Sequence, residues 1–457
     1  MRRLFPIFLL SVVPVLALAA PPALPPAEHP VLRDIVNAVS AERLQATDTK
    51  LVGFGTRHTL SDTKSDTRGI GAARRWVKAQ FEDISKQCGG CLEIITPSRV
   101  FTGERTPKGG VEVMDIVAIQ KGSTDPGRYL VMTAHLDSRV SDIMNVDAEE
   151  PGADDDGSGI SAILETARIL SKYKFPATIV YSADSGEEQG LYGGQVIADY
   201  ARDHHWQVEA DLNNDMIGNT HGSDGVVDNK TARIFSEAVK QSLTPKQLNT
   251  LRYTGGFVDS PSREVARYVV RLADQYIPNF HFMLMYRQDR FHRGGDQMAF
   301  NHDDFPAVRV NEAHENWRHQ HQDVRVENGV QYGDLVQFVD FPYLVKTTAA
   351  NAIALASMAW APAPPSDVDI KGNLVPDTTV SWAGLPAAGN PQLAGYRIYW
   401  RRTAAPTWNA DQSIYVGNVN QHTLKDLVID NWYFGVASVS KDGFESPVVF
   451  PGAGGAF

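Results

Sequence analysis

A chain of 457 residues exceeds the usual size of one domain, so a catalytic-sized unit joined to a smaller one is expected. Hydrophobic residues make up 43% and charged residues 21%, which excludes the low-hydrophobicity, high-charge signature of a disordered chain. The formal net charge of −11, without a long basic run, makes nucleic acid an unexpected partner.

At the N-terminus Arg2 and Arg3 precede an apolar stretch from Leu4 to Leu18, and Ala17-Leu18-Ala19 supplies the small residues of a cleavage site. Residues 1–19 therefore read as a signal peptide, with the mature protein secreted or periplasmic. A membrane anchor is the alternative, but Pro6 and Pro14 interrupt a stretch shorter than the roughly 20 apolar residues that span a bilayer. No later stretch reads as a transmembrane segment. The two cysteines, Cys88 and Cys91, read in an exported protein as a local disulfide, since two thiols alone leave a zinc site incomplete.

Apolar residues recur at helical spacing from Val31 to Leu44 and from Ile70 to Phe81, predicting two early helices. Val113 to Val117 and Tyr129 to Thr133 then read as neighbouring strands around the turn-rich Gly122 to Gly127, the second running into His135-Leu136-Asp137. A helix from Ile160 to about Tyr173, a strand at Thr178–Tyr181, a helix from Leu191 to Tyr200 and a strand ending near Asp215 follow. This alternation predicts an α/β fold with a largely parallel central sheet flanked by helices. In such sheets ligands bind beyond the carboxyl ends of the strands, where the polar clusters of this chain fall.

At Ala361-Pro362-Ala363-Pro364-Pro365 the pattern changes to short alternating stretches, predicting a Pro-rich linker and a small all-β sandwich. A catalytic domain over 27–360 and a sandwich over 364–450 are the expected domains. Trp382, the strand Tyr396-Arg397-Ile398-Tyr399-Trp400, and Leu424-x-x-Leu427 ahead of Tyr433 resemble a fibronectin type III module, with Tyr433 in the place of a tyrosine corner. The linker suggests a separable unit that contributes no catalytic group. A polymer, cell-surface or protein ligand is the expected partner of such a module.

Five polar clusters lie in order: His135-Leu136-Asp137, Gly152 to Gly159, Gly186-Glu187-Glu188, Asn214-Asp215-Met216, and Arg318 to Asp323. Each alone is unspecific, yet together they supply the nitrogen and oxygen donors that zinc accepts. In order and context they resemble the two-zinc bacterial leucine-type aminopeptidases, within the metallopeptidases that also include glutamate carboxypeptidase and the glutaminyl cyclases. The resemblance spans about Ala41 to Ala356 and rests on His-x-Asp-Ser, Gly-Ala-Asp-Asp-Asp-Gly-Ser-Gly, Glu-Glu before Gly-Leu-x-Gly, and Asp-Met-Ile-Gly.

That resemblance implies a zinc exopeptidase fold and two Zn2+ per chain. His135 and Asp215 would hold one ion and Glu188 and His319 the other, with Asp155 bridging both. A zinc-bridging hydroxide would attack the N-terminal peptide bond of peptide substrates, with Glu187 as general base. Asp137 is expected to accept the other ring N–H of His135, or to cap the strand end. Among six histidines, His281, His292, His302, His314, His319 and His321, spacing alone selects none. The family's last motif has an Asp four residues after the ligand, which fits His319 with Asp323. Gly295-Asp296-Gln297 departs from the Ser-Asp-His of many relatives.

Tyr253, Phe257, Tyr286 and Phe291 are candidates to line an apolar specificity pocket, or to be core. Two other functions remain open. Arg287, Arg290 and Arg293 would suit a carboxypeptidase that receives a terminal carboxylate. A catalytically inactive secreted binding protein is opposed by the presence of Glu187 and all five ligands.

Overall fold

The computed structural model describes residues 24–386 and 390–457; the signal-peptide reading of residues 1–19 lies outside them. An eight-stranded sheet runs in the order Leu92–Ile95, Ile116–Gln120, Ala177–Asp184, Asp125–His135, Gln207–Asn214, Ala307–Glu312, Thr231–Ser236, His281–Met285. The central four strands are mutually parallel, and antiparallel partners flank them on both sides. The expected α/β class and largely parallel sheet are both present. All eight residues of Ala177–Asp184 are buried, as a strand covered on both faces requires.

Helices cover the sheet and fix its rim. Phe341–Trp360 starts on Asp340, whose carboxylate accepts the Tyr343 N–H at 3.1 Å, and its alanine-rich body lets it pack closely against Gly159–Leu170. The expected first helix is two helices, Pro30–Asn37 and Ala41–Val52. The break is local chemistry: Ser40 caps the second helix by accepting the Arg43 N–H, which apolar spacing does not register. Cys88 and Cys91 are disulfide-bonded. No helix among the described residues is long and apolar enough to cross a membrane.

Residues 366–383 and 393–440 form two three-stranded antiparallel sheets, Ser366–Lys371, Thr378–Ala383 and Gln421–Leu424 in one, Ser413–Gly417, Leu393–Arg402 and Trp432–Ser440 in the other. Val380 and Trp382 from the first meet Tyr396, Ile398, Phe434 and Val436 from the second in a shared core. Tyr433 does not turn back as a corner: its hydroxyl lies against Gly255 and its ring stacks with Arg401, 4.8 Å from the guanidinium carbon. The proline-rich segment is tied down. Ser438 Oγ donates to the carbonyls of Pro362 and Ala363, and Arg128 donates to that of Ala361.

The two units share a junction rich in polar contacts. Trp408 Nε1 donates to Glu264 at 2.6 Å, Arg267 donates to the Pro406 carbonyl at 2.7 Å, and Tyr268 donates to the Glu445 carbonyl at 2.8 Å. Phe444 joins the main core, stacked on His29 at 4.0 Å and beside Trp360.

Candidate metal centre

The strand Asp125–His135 delivers His135 to the carboxyl rim of the sheet, where its side chain is buried. His135 Nε2 lies 3.0 Å from Asp155 Oδ1 and 3.9 Å from Asp215 Oδ2. Its Nδ1 meets the backbone carbonyl of Asp137 at 3.0 Å, with the Asp137 carboxylate farther away at 3.5 Å. Asp137 thus orients His135 through its main chain. Its carboxylate instead accepts the backbone N–H groups of Glu187 and Glu188, at 3.2 and 3.3 Å, and the Thr59 hydroxyl. This anchors the turn that presents the glutamate pair.

Asp155 stands between two donor groups. On its far side, Oδ2 lies 2.9 Å from His321 Nε2, which is also 2.9 Å from Glu188 Oε1. Two triads result, His135-Asp155-Asp215 and Asp155-Glu188-His321, each with ligand atoms within 4.8 Å of one another. Asp334, unmarked in the sequence, holds the bridging loop by accepting the N–H groups of Asp154 and Asp155 at 2.8 to 3.0 Å.

His319, expected as the fifth ligand, is not there. Its ring stacks on Phe338 at 3.8 Å, its Nδ1 makes no hydrogen bond, and burial with neighbouring Arg318 and His221 lowers its pKa to about 4. His321 takes the place assigned to His319. The backbone at His321 is left-handed, with φ 54°, and His321 lines the cavity above the triads whereas His319 does not. Asp323, the residue that set the expected register, instead accepts the Ser141 hydroxyl.

Electrostatics fits a cation centre. Burial alone would raise Glu188, but His321 and Arg139 outweigh it and hold its pKa at about 2. Burial opposes the charge on His321 as well, yet Glu188 and Asp155 raise it to about 9. Burial raises Glu187 well above the usual carboxylate range, His135 opposing and Glu188 and Asp215 adding to it. Glu188 Oε1 is buried and meets His321 Nε2 alone, at 2.9 Å. The set of imidazole nitrogens and carboxylate oxygens, with one carboxylate shared, is of the kind that two zinc ions accept.

Sequence reasoning missed Arg139 and Arg309, though it singled out Arg290 and Arg293, which line the cavity. Arg309 Nη2 lies 2.7 Å from Asp215 Oδ1, and Arg139 Nε donates to Glu188 Oε2 at 2.7 Å. A lone arginine inside the apolar run Ala307-Val308-Arg309-Val310 was the available signal, because a buried guanidinium needs a carboxylate partner. Gln297, at the departure from Ser-Asp-His, is fully buried and donates to Asp289 at 2.8 Å, anchoring the loop beside the site. None of Tyr253, Phe257, Tyr286 and Phe291 lines the cavity of about 360 Å³ above the triads.

Residues 115–335 match the sequence model of peptidase family M28. A probable zinc metalloprotease of Pyrenophora tritici-repentis is 39% identical over 424 residues, covering 92% of this chain and 86% of the relative. Another from Pyricularia oryzae is also 39% identical over 424 residues, covering 92% and 84%. The chain belongs to peptidase family M28. Its fold is that of the LapA aminopeptidase of Legionella pneumophila, with a TM-score of 0.52 and 20% identity over 74% of this chain and 78% of that one. As an M28 zinc metalloprotease it is a hydrolase acting on peptide bonds, and the paired triads lie within the matched segment.

Proposed function

We propose that this M28 protein is an exported aminopeptidase that removes N-terminal residues from peptides, with two zinc ions per chain. His135, Asp155 and Asp215 would hold one ion, and Asp155, Glu188 and His321 the other. The observation that carries this reading is the pair of triads sharing Asp155, with Glu187 beside them on the cavity wall. The zinc ions would supply Lewis acidity and lower the pKa of a bound water.

The protein's own groups do the rest. Glu187 takes the proton from the attacking water on its carboxylate and returns it to the departing amine. Asp137 fixes the Glu187 main chain for this transfer through its hydrogen bond to the Glu187 N–H. The carboxylates around the triads give a substrate's ammonium group an acidic wall. LapA is named an aminopeptidase, and its fold supports the same reading. Export follows from Arg2, Arg3 and the apolar stretch to Leu18, and a fibronectin type III-like assignment for the sandwich from its two facing sheets.

Peptides with free and acetylated amino termini test the activity. Stepwise release of N-terminal residues from the free peptide, and none from the acetylated one, is the expected result. Cleavage of the acetylated peptide from its carboxyl end would overturn the reading in favour of carboxypeptidase action.

A further inference from the structure

The walls of the cavity are unlike those of a site for leucine-like side chains. Leu191 is the single apolar side chain on its lining, whereas four arginines, Arg105, Arg139, Arg290 and Arg293, reach it. Burying an aliphatic side chain there would remove little apolar surface from water and would desolvate guanidinium groups.

The arginines differ in how far they are already used. Arg139 is bound to Glu188, and Arg290 to Asp289 and the Gly294 carbonyl. Arg293 gives one nitrogen to Glu315 at 2.6 Å, but that carboxylate also serves Arg233 and Arg290, so three guanidinium groups share one acid. Arg105, in the turn between the strands Ser98–Phe101 and Val111–Met114, makes one contact, to the Glu188 carbonyl at 3.2 Å. No carboxylate among the described residues pairs with it. Asp155, Glu187, Glu188 and Asp215 line the same cavity at the triads, but none of them pairs with Arg105 or Arg293, which keep spare N–H donors.

We infer that the cavity selects substrates bearing a carboxylate close to the scissile bond, held by Arg105 and Arg293. The inference deepens the aminopeptidase reading and rests on it for the position of the bond. The carboxylate is either the side chain of an N-terminal Asp or Glu, or the terminal carboxylate of a very short peptide. Guanidinium forks recognise either through paired charge-assisted hydrogen bonds.

Glutamyl and glutaminyl anilides, matched in shape, separate charge from size, and dipeptides with free or amidated carboxyl ends test the second source. Zinc-loaded full-length protein is expected to favour the charged member of at least one pair by about tenfold or more in kcat/KM. Arg105→Gln and Arg293→Gln should bring that ratio toward one, and Arg105→Lys should restore part of it. Calorimetry with glutarate against glutaramide reads binding without turnover: glutarate should bind, and the double Gln variant should lose it. Ratios near one in both pairs, a leucyl anilide outpacing the glutamyl one, or glutarate binding that survives in the double variant would overturn the inference. If no anilide is cleaved, the aminopeptidase reading fails and glutarate binding alone decides this one.

Discussion

Arg401 donates through Nη2 to both carboxylate oxygens of Asp259, at 2.6 and 2.7 Å, joining the sandwich to the head of the helix Pro261–Tyr276. Both side chains are 2% exposed. Arg267 bonds the same carboxylate and also donates to the Tyr286 hydroxyl at 3.0 Å, and Tyr286 in turn donates to the Pro406 carbonyl. Tyr286 opens the loop that carries Arg290 and Arg293 to the cavity. Arg401→Met, which keeps the bulk and removes the charge, is expected to destabilise the protein by about 3 kcal/mol, because Asp259 is left buried and under-neutralised. Denaturant unfolding measures the loss, and a variant as stable as the parent would show the pair to be dispensable.

The same junction bears on the independence of the sandwich. Its proline-rich boundary suggests a detachable unit, but cutting near Trp360 would strip Asp259 of Arg401 and Glu264 of Trp408, and would take Phe444 from the main core. A chain ending at Trp360 is expected to unfold at a lower temperature than the full chain, or to be recovered only as aggregate. Circular dichroism melting of the two proteins is the check. Equal melting temperatures would mean that the junction adds no stability to the catalytic unit.

The two neighbouring histidines predict a split in metal content. His321→Ala should lower bound zinc from two ions per chain to one, since it removes an imidazole that faces both Asp155 and Glu188. His319→Ala removes a ring stacked on Phe338 and should retain both ions. Atomic absorption after dialysis reads this directly. Loss of zinc from the His319 variant with retention in the His321 variant would reverse the assignment.

What was legible follows from which physical signal each residue leaves. His135, the Glu187-Glu188 pair and Asp215 come at or just beyond the ends of apolar strands, and a strand that ends in polar residues on a parallel sheet places them on one rim. His321 leaves no such trace. It sits in an irregular segment with a left-handed residue at His321, where spacing carries no periodicity to say which ring faces Glu188. Tyr286 and Phe291 were equally hidden, because aromatic composition carries no direction: Tyr286 is held by Arg263 and Arg267, and Phe291 projects to solvent. The break between the first two helices hung on a single serine cap.

Away from the metal centre, Glu237 predicts a pH dependence of stability. Burial, reinforced by Asp304 and opposed by Lys240 and Arg263, raises its pKa from 4.5 to about 8. Between those values the folded protein holds a proton that the unfolded chain releases, so this group makes stability fall as pH rises from 4.5 to about 8. Glu237→Gln removes the titration and should raise the melting temperature more at pH 8 than at pH 5. An equal shift at both pH values would mean that Glu237 is charged in the folded state throughout.

Glu187 offers the sharpest separation of metal binding from chemistry. It lines the cavity beside both triads but belongs to neither, so Glu187→Gln should leave two zinc ions in place. The amide keeps the shape and can no longer accept a proton from water, and general acid–base groups contribute about 10²- to 10⁴-fold to rate. Turnover of a peptide with a free amino terminus should fall by that range, with KM changed little if the residue acts mainly in the transition state. The backbone anchor is indifferent to the change, since Asp137 holds Glu187 by its main-chain N–H. Loss of zinc with the rate would make Glu187 a ligand, and a near-normal rate with zinc retained would move the proton transfer to another group.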